Sequence, residues 1–105
     1  AVRHNLAVTF VVFNDNAFGN VQRSQKEDYG NRVIGSDLTN PDFMKLADSF
    51  GIAHERATSP EALRAALRRG IASNKPALIE CPVGEMPNPF SVLRFLTPVR
   101  PKPHA

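Results

Sequence analysis

Near the amino end the run Val8-Thr9-Phe10-Val11-Val12-Phe13 passes without transition into Asn14-Asp15-Asn16-Ala17-Phe18-Gly19-Asn20. All but Thr9 of the first six are apolar, which predicts a strand buried on both faces. The oxygen-rich triplet and the glycine then predict a tight turn and the start of a helix. In open α/β sheets, ligands bind in the crevice beyond the carboxyl ends of the strands. The turn therefore sits where such a fold keeps its chemistry.

A chain of 105 residues makes one domain at most. With 42% hydrophobic and 22% charged residues it is ordinary globular material, which excludes a disordered or fibrous class. No apolar run approaches a membrane span, so no membrane partner is expected. The first residues, Ala1-Val2-Arg3-His4-Asn5, carry neither an initiator Met nor a signal-peptide pattern and read as a chain entered in mid-course. A single cysteine, Cys81, fits a reducing, cytoplasmic setting, and its apolar neighbours make it a small core residue. Thirteen basic and ten acidic residues are scattered. Arg64, Arg68 and Arg69 read as the solvated face of a helix, and no basic stripe with interleaved aromatics points to nucleic acid.

Along the chain, residues 1–6 read as the tail of a helix and 18–27 as a helix with little apolar surface. Residues 28–37, with two glycines, read as a long loop of the kind that forms lids or binding sites. Asn40-Pro41-Asp42 predicts a helix start with Asn40 as the cap and Pro41 at the first helical position. Phe43, Leu46, Ala47 and Phe50 then share one face, and Gly51 ends the helix. Residues 52–56 predict a short strand holding His54, read as a surface or core-edge histidine. Ser59-Pro60-Glu61 starts a further helix, with Leu63, Ala66, Leu67, Gly70 and Ile71 on its inner face. Residues 77–83 form a second apolar strand. This order predicts an α/β fold with a parallel sheet. From Met86 onward five of the nine prolines fall in an extended tail, where Phe90, Val92, Leu93, Phe95 and Leu96 need a surface to lie on. The expected division is 1–85 for the domain and 86–105 for the tail.

From the residues alone, Asn14-Asp15-Asn16 has two readings. The commoner is structural, because Asn and Asp tolerate left-handed backbone and form Asx turns. The other is a hard-cation site. Asp15 offers a carboxylate, Ala17 a backbone carbonyl, and the helix start after Gly19 favours a phosphate dianion.

The stretches Val11–Val21, Tyr29–Arg32 with Ser36-Asp37-Leu38, Asn40–Ala47 with Phe50-Gly51, and Pro76–Glu80 resemble, in order, the thiamine-diphosphate-binding domain of the acetolactate synthase and benzoylformate decarboxylase superfamily. The likeness covers the C-terminal part of that domain and about four-fifths of this chain. It implies a parallel-sheet thiamine-diphosphate-binding fold, C-terminal portion only, with an extended Pro-rich tail. In that family the cofactor motif opens with Gly-Asp-Gly and closes with Asn-Asn, whose second Asn binds the Mg²⁺ that anchors the diphosphate. Carried over, Asn14-Asp15 matches the pair, Asp15 is the metal ligand and Ala17 supplies the carbonyl. Phe18, Gly19 and Asn20 match the turn that contacts the diphosphate. Asp stands here where the motif has Asn, which keeps an oxygen ligand and adds a negative charge beside the diphosphate. Residues 21–37 match a region that closes over the family's active site. The Gly-Asp-Gly would fall upstream of Ala1. The family's catalytic glutamate comes from a neighbouring subunit, so no catalytic residue is assigned here.

The expectation is a fragment of a thiamine-diphosphate- and Mg²⁺-dependent lyase or transferase. Its parent would decarboxylate or carboligate a small 2-oxo acid, with the cofactor as electron sink. The parent would be a homo-oligomer, and this chain alone inactive. The alternative is a stand-alone, non-enzymatic α/β binding or assembly module whose apolar tail is the contact element.

Overall fold

Three strands form one parallel sheet in the order β1-β3-β2: β1 (Thr9–Asn14), β2 (Ala53–Arg56) and β3 (Ala77–Pro82). The computed structural model describes residues 1–89, so the apolar residues from Phe90 to Leu96 lie outside the described residues. The register pairs Phe13 with Cys81, Asn14 with Pro82, and Arg56 with Glu80. Among the described residues three helices accompany the sheet: α1 (Gly19–Glu27), α2 (Phe43–Ser49) and α3 (Pro60–Ala72). The order of elements is the one the apolar runs and helix starts predict.

Side chains alternate across a strand, so β3 offers Ile79 and Cys81 to one face of the sheet and Leu78 and Glu80 to the other. The first face is closed by α3. Ser59 Oγ accepts from the Ala62 N–H at 3.1 Å, Pro60 opens the helix, and Arg69 lies in its last turn. Capping of this kind stabilises a helix by about 1 kcal/mol. Ala57, Ala66, Ile79 and Cys81 form the buried core, with Val11, Leu63, Leu67 and Val83 packed against it. Gly70 permits the close approach of α3 to β1, since a Cβ there would stand 2.9 Å from Thr9 Cγ2. Ile71, expected on the inner face, is 71% exposed: it lies one position past Gly70, beyond the stripe that meets the sheet.

The second face is covered only in part, by α2. Ala47 is buried, but Leu46 and Phe50 stay exposed and line an open apolar groove of about 410 Å³ with Phe10, Ile52, Pro76 and Leu78. The expectation that β1 is buried on both faces is corrected for the described residues. Among them β1 is an edge strand, with Phe10 and Phe13 at 45% and 59% exposure, and the doubly buried strand is β3. Strand order decides this, and strand order is not a local property of the run.

The start of α2 also differs from expectation. Asp42, not Asn40, is the cap: its Oδ1 accepts from the N–H groups of Met44 and Lys45 at 2.9 and 3.2 Å. Gly51 follows the helix at φ +69°, as its stop role requires. At the amino end, Leu6 N–H donates to Ala1 O and Asn5 N–H to Val2 O, with Asn5 at φ +49°. That pair of bonds is the closing pattern of a helix C-terminus. Among the described residues no helix is long and apolar enough to cross a membrane.

Candidate functional site

At the carboxyl end of β1 two Asx turns follow one another. Asn14 Oδ1 accepts from the Asn16 N–H at 3.0 Å, and Asp15 Oδ1 from the Ala17 N–H at 3.2 Å. Asn16 takes the left-handed conformation, φ +55°, that asparagine tolerates better than most residues. Ala17 then forms an isolated antiparallel bridge with Asp37. The ladder bonds flank it: Leu38 N–H donates to Asn16 O and Phe18 N–H to Ser36 O, both at 2.8 Å. The Ala17 carbonyl takes part in neither.

α1 begins directly after this bridge. Phe18 occupies the cap position, and among the described residues no side chain caps the helix. Its first-turn N–H groups are thus left to solvent or to a ligand, and an anion suits them. The absent side chain of Gly19 matters here, because a Cβ would stand 2.6 Å from Asp15 Oδ2. Asp15, Ala17 and Gly19 share a cleft of about 170 Å³ with Gln22, Arg23 and residues 84–86. Phe18 and Asn20 are exposed and do not line the cleft.

The outer wall is the chain leaving β3. Arg23 Nη2 donates to the carbonyls of Met86 and Pro87 at 2.5 and 3.3 Å, and Lys26 pairs with Glu85 at 3.3 Å. The long loop lines no part of the cleft, but α1 holds it in place. Gln22 Nε2 donates to Asp37 Oδ1 at 2.8 Å, Gln25 Nε2 to Ile34 O at 2.8 Å, and the fully buried Ser36 donates to Gln25 Oε1 at 2.7 Å. Tyr29 and Arg32 in this loop are exposed and stand outside the cleft.

Beneath the turn lies a polar network that the sequence pattern alone leaves unassembled. Asn14 Nδ2 donates to Glu80 Oε1 at 3.0 Å, Arg56 Nε donates to Glu80 Oε2 at 2.8 Å, and Asn40 Nδ2 donates to Asn14 Oδ1 at 2.7 Å. Glu80 is only 4% exposed, and the bond from Asn14 and the guanidinium of Arg56 hold its carboxyl below the usual range against the opposing effect of burial. Arg56 is correspondingly raised by Glu80. The available signal was Glu80 itself, a charge inside the apolar run Leu78-Ile79-Glu80-Cys81. Cys81 is buried and unpaired, as expected of a core residue, and burial pushes its thiol up. His54 is half-buried, with Nδ1 2.9 Å from Ile52 O.

The donor set suits a divalent cation bound together with a phosphate. Asp15 Oδ2 takes no hydrogen bond among the described residues, and the Ala17 carbonyl is outside the ladder. No group of three or more His, Cys, Asp or Glu among the described residues could hold a metal without help. Mg²⁺ commonly takes one or two carboxylates and completes its shell with phosphate oxygens and water.

Comparison with known proteins bears on the family of this fold. Residues 1–81 match the family model for the thiamine pyrophosphate enzyme, C-terminal TPP binding domain. The chain is 36% identical over 83 residues to the acetolactate synthase of Bacillus subtilis, covering 79% of this chain and 14% of that protein. It is 33% identical over 78 residues to the probable acetolactate synthase large subunit of Methanocaldococcus jannaschii, covering 73% of this chain and 13% of that one. It is 31% identical over 96 residues to the corresponding probable subunit of Methanococcus aeolicus, covering 90% and 15%. The chain thus spans roughly one-seventh of the length of these relatives.

Proposed function

The chain belongs to the thiamine pyrophosphate enzyme family through its C-terminal TPP-binding domain, and on that premise we propose that it forms the metal- and diphosphate-binding half of a cofactor site. The parent would be an acetolactate synthase-like enzyme that decarboxylates or carboligates a small 2-oxo acid, assembled as a homo-oligomer. When bound, thiamine diphosphate supplies the electron sink for that chemistry.

The observation that carries this reading is the convergence of three unused groups on one cleft. Asp15 Oδ2 and the Ala17 carbonyl would hold Mg²⁺. The uncapped start of α1 would take the diphosphate oxygens through backbone N–H groups, with Gly19 leaving room beside Asp15. Arg23, on the cleft wall, adds positive charge facing the anion. These residues bind and orient the cofactor.

The test is Asp15→Ala in the full-length protein, followed by the Mg²⁺-dependent retention of thiamine diphosphate through gel filtration. Retention should be lost, whereas Asp15→Asn, which keeps an oxygen ligand, should hold the cofactor. Unchanged retention in Asp15→Ala overturns the assignment.

A further inference from the structure

We propose that Asn40 is a positioning residue for the cation-holding turn, acting together with Glu80 through the side chain of Asn14. The proposal rests on the reading that Asp15 and Ala17 hold the metal. The Asn14 amide is used at both ends. Its Oδ1 receives the Asn16 N–H at 3.0 Å and Asn40 Nδ2 at 2.7 Å, and its Nδ2 reaches Glu80 Oε1 at 3.0 Å. Asn40 Nδ2 also lies 3.5 Å from Asn16 Oδ1, so one amide touches the residues on both sides of Asp15. Glu80 is the fixed end of the chain of bonds: it is buried in the central strand and tied to Arg56 at 2.8 Å.

Asn40 is delivered by a stiff segment. Pro41 after it disfavours helical backbone at Asn40, and the Asp42 cap starts α2 two residues on. Position 40 is therefore set by where α2 sits on the sheet. Without the Asn40 donor, the Asn14 amide keeps only Glu80 and the Asn16 N–H as partners and is held less firmly about its side-chain torsions. The first Asx turn then loses one of its anchors, and with it the firm hold on the left-handed Asn16 that aims the Ala17 carbonyl and the Asp15 carboxylate into the cleft. Groups that orient metal ligands without touching the metal typically change affinity by about 10- to 100-fold when removed.

The experiment is a titration of Mn²⁺, standing in for Mg²⁺, into the full-length protein with saturating thiamine diphosphate. Bound Mn²⁺ is read by electron paramagnetic resonance, beside the melting temperature of the metal- and cofactor-free protein. Asn40→Ala should weaken Mn²⁺ binding about 10-fold with the apo melting temperature unchanged, and Asn40→Gln, which keeps the amide donor, should recover most of that loss. Unchanged Mn²⁺ affinity in Asn40→Ala, where Asp15→Ala abolishes binding, overturns the positioning role and leaves the metal site standing. A loss of affinity matched by a fall in apo melting temperature makes Asn40 a structural residue and also overturns it. Unchanged affinity in Asp15→Ala overturns the site itself. Glu80→Gln is the companion variant; Asn40 leads because Asn40 is only half-buried and its removal leaves the core intact.

Discussion

The two faces of the sheet are built on different principles. Under α3 the residues are small and apolar, and helix and strand close to the point where Gly70 must lack a side chain. Under α2 the groove stays open at one end, and at the other a buried carboxylate is held by an asparagine and an arginine. Tight packing is unforgiving of volume changes, whereas a polar network is unforgiving of lost partners. The α3 face therefore holds the fold, and the α2 face connects the fold to the turn proposed to carry the site.

The largest effect that could break this contrast belongs to the α3 face. Ile79→Ala should lower stability by about 3 kcal/mol, read from the shift of the denaturant midpoint, because it opens a cavity in the fully buried core. A loss below about 1 kcal/mol would show that this face is no tighter than the other.

The next effect is a pH dependence arising from the α2 face. The folded protein holds Glu80 below its ordinary value, chiefly through Asn14 and Arg56. Its contribution is present above the unfolded carboxylate value of about 4.3 and is lost as pH falls through the lower folded value. Glu55, lowered by Arg69, and Asp42, lowered by the N–H groups of Lys45 and Met44, act in the same direction. Denaturant midpoints should therefore drop on acidification, and Glu80→Gln should give a shallower drop from a lower starting stability. An equal slope in the two proteins would remove Glu80 from this account.

The smallest effect should come from the groove. Phe50 is 61% exposed at the end of α2, so Phe50→Ser should change stability by about 0.5 kcal/mol or less while raising solubility. A loss comparable to that of Ile79→Ala would mean the groove is covered in the native protein and belongs to its core.

Much of the architecture could be read from local patterns. The apolar runs marked β1 and β3, and Ser59-Pro60-Glu61 announced α3 because capping chemistry lies within one turn. The residues around Asp15, Ala17 and Gly19 were legible as a turn facing the sheet crevice, and the structure gathers those three at one cleft. Other features depended on distance along the chain. The edge position of β1 follows from β3, which arrives some sixty residues later, so nothing near Phe10 or Phe13 could signal exposure. Asn40 and Asp42 both look like caps beside Pro41. The choice between them reflects Asn14, 26 positions away, which engages the Asn40 side chain. Glu80 was visible as an oddity, but its partners were not, because they come from two other strands.

The isolated bridge at Ala17 bears on how this site tolerates change. If the carbonyl of residue 17 is a metal ligand, no side-chain substitution there deletes it, because every amino acid carries the same group. The bonds on either side of it, between the main chains of Asn16 and Leu38 and of Phe18 and Ser36, are equally blind to side-chain identity. Half of the proposed protein coordination is thus written in the path of the backbone. Mutation can drift at position 17 so long as the asparagines around it keep that path, and an inheritance of that kind outlasts the letter that first stood there.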